Sequence, residues 1–118
     1  MQRPLKTAIL FVFAAAISGC SASYDQATKM RPVGSDFNKA LYAGYLKLAG
    51  AELDELDLVD TNAFATRAIR SGRGELVAPE EISKRKLLTD IIPDLTLARE
   101  RLVATLDDAT RAHQPKTD

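Results

Sequence analysis

Phe37-Asn38-Lys39-Ala40-Leu41-Tyr42-Ala43-Gly44-Tyr45-Leu46-Lys47-Leu48-Ala49-Gly50-Ala51-Glu52-Leu53 carries apolar side chains at every third or fourth place. Phe37, Leu41, Tyr45 and Leu48 begin a stripe that Ala49, Leu53 and Leu56 continue, the period of an amphipathic helix. Lys39, Lys47, Glu52 and Asp54 fall to the other side. Ser35 or Asp36 can accept backbone N–H bonds at a helix start, so the spacing predicts a helix from about 36 to 57. Gly44 and Gly50 each cost about 1 kcal/mol relative to alanine if exposed. The alternative is that they let a neighbouring helix come close.

Downstream, Asp60 or Thr61 can cap a second, shorter helix with Ala63, Phe64, Ala68 and Ile69 on its apolar side. Gly72 and Gly74 suit its end, because glycine readily takes the left-handed conformation found past helix termini. Glu75 to Pro79 reads as a connector, and Glu80 to Asp90 as a further short helix opened by two acids. Pro93 fits the first turn of a last helix, where its missing N–H is harmless. Beyond it Leu95, Ala98, Leu102, Leu106 and Ala109 form a seam at spacings of three and four, which predicts a helix over 93–112. The expectation is an all-α fold: a small bundle in which two long helices pack antiparallel and short helices close one end.

Upstream, Ser21 to Ser35 is mostly small and polar, and Pro32 and Gly34 interrupt helical patterning, so it reads as a flexible linker. Met1 to Lys6 holds two basic residues, Arg3 and Lys6, and Ala8 to Ile17 is uncharged and apolar. A basic start, an apolar middle and small residues after it are the layout of a secretory signal. The apolar run is about half of the ~20 residues a membrane-crossing helix needs. Ile17-Ser18-Gly19-Cys20 closes the segment, and Cys20 is the single cysteine of the chain. The other reading is an ordinary secretory signal cut nearby, for instance after Ala22.

That ending resembles the lipobox of bacterial lipoproteins, with Ile17, Ser18 and Gly19 at its apolar and small positions. The resemblance implies a diacylglyceryl group on the Cys20 thiol, cleavage before Cys20, and palmitate-type acylation of the new amine in many Gram-negative bacteria. Ile17 stands where leucine is commonest. In enteric bacteria an aspartate directly after the cysteine favours inner-membrane retention, so Ser21 implies an outer-membrane anchor facing the periplasm. The divisions expected are 1–19 signal peptide, 20–35 lipidated cysteine and linker, 36–112 helical domain and 113–118 disordered tail.

A second resemblance covers residues 37–106. Tyr45-Leu46-Lys47-Leu48-Ala49, Glu52, Asp57, Asp60, Phe64-Ala65, Val77-Ala78-Pro79 and Ala98-Arg99-Glu100-Arg101-Leu102 are similar to the helical segment preceding the peptidoglycan-binding domain in some proteobacterial OmpA-family lipoproteins. That binding domain is not expected within the 118 residues, so no peptidoglycan-binding residue is carried over.

Chemistry is sparse. The chain has 16 basic and 16 acidic residues; without Arg3 and Lys6 the remainder is about −2, which gives no electrostatic footprint for nucleic acid. The single histidine, His113, sits in the tail, and one histidine among scattered acids suggests no metal site and no nucleophilic triad. Glu52 with Glu55, or Asp107 with Asp108, read as solvated acids before they read as an acid–base pair. Gly72-Arg73-Gly74 follows a helix, unlike a phosphate-binding loop. No catalytic residue and no cofactor are expected. Lys84-Arg85-Lys86 is either the wet side of a helix or a contact for anionic headgroups. Phe37, Tyr42 and Tyr45 either fill the core or leave a face that takes a partner helix in a groove. The function expected is a membrane-anchored structural or protein-interaction module of the cell envelope, with an envelope protein as partner. The alternative is a module that binds anionic lipid, lipopolysaccharide or peptidoglycan. No oligomeric state follows from the sequence.

Overall fold

Ser35 starts the long helix. Its hydroxyl accepts the Asn38 backbone N–H at 3.2 Å, and Asn38 Oδ1 accepts the Ser35 N–H at 3.2 Å. This is a capping box closed by asparagine, and it satisfies donors that a helix start otherwise leaves unpaired. In the computed structural model, which describes residues 22–112, the fold is all-α and no strand occurs among the described residues. Residues 22–29 are helical (α1). They are followed by α2 (Asp36–Asp54), α3 (Leu58–Gly72), a 3-10 turn at Ile82–Lys84 and α4 (Ile92–Ala112). The chain divides into two units between Val77 and Ala78, within the span 36–112 expected to be one domain.

In the first unit α2 pairs with α3. Asn38 Nδ2 donates to the Glu75 carbonyl at 3.0 Å, Tyr42 lies against Gly72, and the Tyr45 and Phe64 rings stack with centroids 6.4 Å apart. Rising numbers on α2 meet falling numbers on α3, so the hairpin is antiparallel. The expectation of two long antiparallel helices pairs α2 with the helix over 93–112; within the first unit its antiparallel partner is α3. Small side chains make this possible: Ala49, Ala65 and Ala68 are fully buried, with Ile69 and Tyr42 beside them. Alanines at a helix crossing allow close backbone approach, and Tyr45 and Phe64 pack at the margin.

The stretch expected to be a linker contributes α1 to this core. Ala27 is fully buried, and Tyr24 and Met30 pack against the cluster. Tyr42 Oη donates to the Ala27 carbonyl at 2.7 Å, and the Val33 N–H to the Gly72 carbonyl at 2.8 Å. A Cβ at Gly50 would come within 3.0 Å of Tyr24 Oη, so this glycine makes room for α1. Helix propensity alone would not order so short a segment; docking of Tyr24, Ala27 and Met30 does.

Both helices of the hairpin end in the same motif. After α2, the Leu56 N–H reaches the Leu53 carbonyl and the Asp57 N–H the Glu52 carbonyl. After α3, the Gly74 N–H reaches Ser71 and the Glu75 N–H reaches Arg70. This pair of bonds requires a left-handed residue just past the cap. Gly74 meets that need at φ +81°, whereas Leu56 takes φ +62° with 81% of its surface exposed. A side chain in that conformation costs about 1–2 kcal/mol and loses little packing here if removed. Leu56→Gly is therefore expected to stabilise the unit by about 1 kcal/mol, read as a higher melting midpoint. An unchanged or lower midpoint would show that Leu56 packs in a way its exposure does not reveal.

Asp57 caps α3, its carboxylate accepting the Asp60 N–H at 3.0 Å. The cap thus lies three residues before Asp60 and four before Thr61, the two caps expected, and Asp60 becomes a first-turn acid. In the second unit, the expected helix over 80–90 is only the 3-10 turn Ile82–Lys84. Arg99 holds the start of this segment: its Nε donates to the Glu80 carbonyl at 2.8 Å and its Nη2 bonds Glu81 at 2.6 Å. The Lys84 N–H bonds the Glu81 carbonyl and the Arg85 N–H that of Ile82, the tighter ladder. Pro93 lies in the first turn of α4, as its chemistry predicts. No residue of α4 is buried, and of its seam only Leu106 is half-buried.

Candidate functional site

The α2 helix carries two apolar seams. Tyr42, Leu46, Ala49 and Leu53 recur at spacings of four, three and four, and the first three belong to or pack on the core shared with α1 and α3. Phe37, Leu41, Gly44, Leu48 and Ala51 recur at four, three, four and three, and no helix of the first unit covers them. They line an open groove of about 570 Å³ whose walls are almost wholly carbon, with Ala40 and Tyr45 beside them and Lys47 as the one charged residue at its rim. Phe37 keeps 47% and Leu48 46% of its surface exposed. The expected core stripe therefore resolves into two faces. Ala49 turns into the core and Tyr45 packs at its edge, while Phe37 and Leu48 stay on the open side.

The reason is geometric. Tyr42 needs an acceptor for its hydroxyl when buried, and the Ala27 carbonyl near the end of α1, which also accepts the Met30 N–H, supplies one on the inward side. Phe37 and Leu48 have no polar atom to place and are left on the far side. Gly44 completes the open face: a Cβ built there meets nothing within 4 Å. Tyr45 sits at the boundary, stacked on Phe64 with Arg67 5.8 Å above its ring.

The other candidate residues separate. Ile17, Ser18, Gly19, Cys20 and His113 lie outside the described residues. In the basic triplet, Lys84 and Lys86 are exposed, but Arg85 Nε bonds Glu80 Oε2 at 2.9 Å with both side chains about three-quarters buried. Its charge is thereby compensated within the second unit. Glu52 gathers with Asp57 and Asp60 instead of pairing with Glu55; their nearest carboxylate oxygens lie within 4.8 Å of one another. Asp57's carboxylate is engaged in capping α3, which accounts for its position without an ion. Asp108 bonds Arg111 one turn on, a surface contact. No helix among the described residues is long and apolar enough to cross a membrane.

Of the groove residues, Gly44 carries the expectation of a close helix neighbour, whereas Ala40 and Ala51 carry no expectation from the sequence. Their signal was present in the second run of heptad-like spacing, hidden because both seams of α2 obey the same rule. Comparison with family models, with curated proteins and with solved structures finds no match to this chain.

Proposed function

We propose that the chain is the precursor of a bacterial envelope lipoprotein, anchored through Cys20, whose helical part is a protein-interaction module facing the periplasm. The observation that carries this reading is the order of features over residues 1–20. Two basic residues, an uncharged apolar run and Ile17-Ser18-Gly19-Cys20 follow one another, with the only thiol of the chain at the end. Each methylene buried in a bilayer contributes about 0.8 kcal/mol, so one acyl chain anchors marginally and two or three on one residue hold the chain in place. Ser21 after the cysteine favours the outer membrane in this reading.

The open seam of α2 supports the interaction role. Phe37 and Leu48 each retain about half their surface, and covering them would contribute roughly 1 kcal/mol apiece. Binding to anionic headgroups through Lys84-Arg85-Lys86 is less favoured, since Arg85 is already paired with Glu80 and two lysines remain.

Metabolic labelling with a palmitate analogue tests the anchor. The wild-type chain is expected to carry label and to fractionate with the outer membrane. Cys20→Ala is expected to lose the label entirely. An unlabelled wild-type chain released as a soluble periplasmic product would overturn the reading in favour of an ordinary secretory signal.

A further inference from the structure

We infer that the open seam of α2 is covered by the same seam of a second copy of this chain, the two helices running antiparallel. The inference rests on the anchored-lipoprotein reading only for the local concentration that drives pairing. Phe37, Leu41, Gly44, Leu48 and Ala51 follow the four-three repeat that lets one helix lay knobs into the holes of another. An antiparallel register sets Phe37 opposite Leu48 of the second copy, and Leu41 opposite Gly44. Two-fold symmetry repeats both pairs, so one surface serves both copies. The Leu41 side chain then fills the space over Gly44, where a Cβ would meet nothing within 4 Å.

Charge selects the same arrangement. Lys47 is the one charge at the rim of the groove, and Asp36 lies on the same flank of α2. Neither makes an ion pair among the described residues. In the antiparallel register Lys47 falls about 3 Å along the axis from Asp36 of the second copy, within reach of its side chain. A parallel pair would place Phe37 against Phe37 and Gly44 over Gly44 with a void between them, and would put Lys47 and Asp36 of the two copies on opposite flanks.

Size decides where the pair forms. The seam from Phe37 to Ala51 is about 21 Å long at the helical rise. One helix from each side covers less than the roughly 1,600 Å² of a standard stable interface. Pairing in dilute solution is therefore weak. Anchoring both copies in one membrane supplies the effective concentration that favours it.

The test uses the full chain, expressed and processed in a Gram-negative host, with a single added cysteine and a short bis-maleimide cross-linker applied to membranes. Cys20 is blocked by its thioether in the processed chain. Gly44→Cys is expected to give a covalent dimer at roughly tenfold or more the yield of Val59→Cys, an exposed position on α3. Adding Leu48→Asp, on the exposed face where folding tolerates it, is expected to abolish the adduct while helicity by circular dichroism is kept. Equal yields at the two positions would overturn the proposal. So would a dimer that survives Leu48→Asp, or an adduct whose mass is that of a different protein. Palmitate label scored in the same membranes separates the two readings: label without a dimer overturns the pairing and leaves the anchor. An unlabelled chain keeps a free Cys20 thiol and overturns the anchor; a Gly44→Cys adduct well above that of the chain with Cys20 alone then still supports the pairing, and an adduct no greater overturns it.

Discussion

Tyr42→Ala is expected to destabilise the first unit by about 3–5 kcal/mol, the range for removing a buried aromatic ring. Domains of this size have about 5–15 kcal/mol in all, so the variant should lie near its folding threshold. Tyr42 is 8% exposed and stands where three segments meet. Its ring packs on Gly72 of α3, and its hydroxyl bonds Ala27 of α1 at 2.7 Å with Met30's carbonyl at 3.5 Å. Removing the side chain opens a cavity and unties α1 in one step. Tyr42→Phe separates the two effects, since it keeps the ring and loses only the hydrogen bond, about 1 kcal/mol. The three tyrosines, Tyr24, Tyr42 and Tyr45, all belong to the first unit and tryptophan is absent. Urea titration followed by tyrosine fluorescence therefore reports on this unit alone. A cost for Tyr42→Ala below about 1 kcal/mol would mean that α1 does not dock as described.

Gly34→Ala is expected to cost about 2–4 kcal/mol, from backbone strain and a steric clash acting together. Gly34 has φ +98°, a conformation L side chains rarely adopt. An added Cβ would also lie 2.9 Å from the Cα of Gly74 and 3.1 Å from Asn38 Oδ1. The first contact is with backbone and cannot be relieved by a rotamer change. The second is with the atom that closes the capping box of α2. Gly74→Ala is the informative companion: at φ +81° its Cβ would meet Gly34 at an ordinary 3.6 Å, leaving mainly the conformational cost. Its expected penalty is about 1–2 kcal/mol. Equal penalties for the two variants, measured by the same titration, would show that the close approach of Gly34 to Gly74 is not what holds α2 to the end of α3.

Much of the fold was legible because local chemistry and tertiary packing agree. Ser35 caps α2 as one of the two residues proposed, and Pro93 takes the first turn of α4. Gly72 closes α3, with Gly74 in the left-handed position after it. The departures have separate physical causes. The Ser21–Ser35 stretch reads as linker because its residues are small and polar. Its helix is ordered by burial of Ala27 and the approach of Tyr24 to Gly50, contacts between residues far apart in sequence. The region 80–90 has the acids of a helix start, but those acids and their backbone bond Arg99 and Arg85, residues that the local pattern does not bring together. The candidate site was half legible. The spacing of Phe37, Leu41 and Leu48 showed an apolar face on α2, but Tyr42, Leu46, Ala49 and Leu53 show the same spacing a part-turn away. Which face is covered depends on contacts distant in sequence, such as the Tyr42 hydroxyl on the Ala27 carbonyl and the Tyr45–Phe64 stack.

The central claim is that Cys20 becomes the lipid-bearing first residue of a chain held at the envelope. The most direct measurement is mass spectrometry of the amino-terminal peptide of the membrane-extracted protein. The expected result is a peptide that begins at Cys20 and carries a diacylglyceryl group on its sulfur, with a further acyl chain on the amine. A peptide beginning after Ala22, or one that retains residues 1–19 with a free Cys20 thiol, would contradict it.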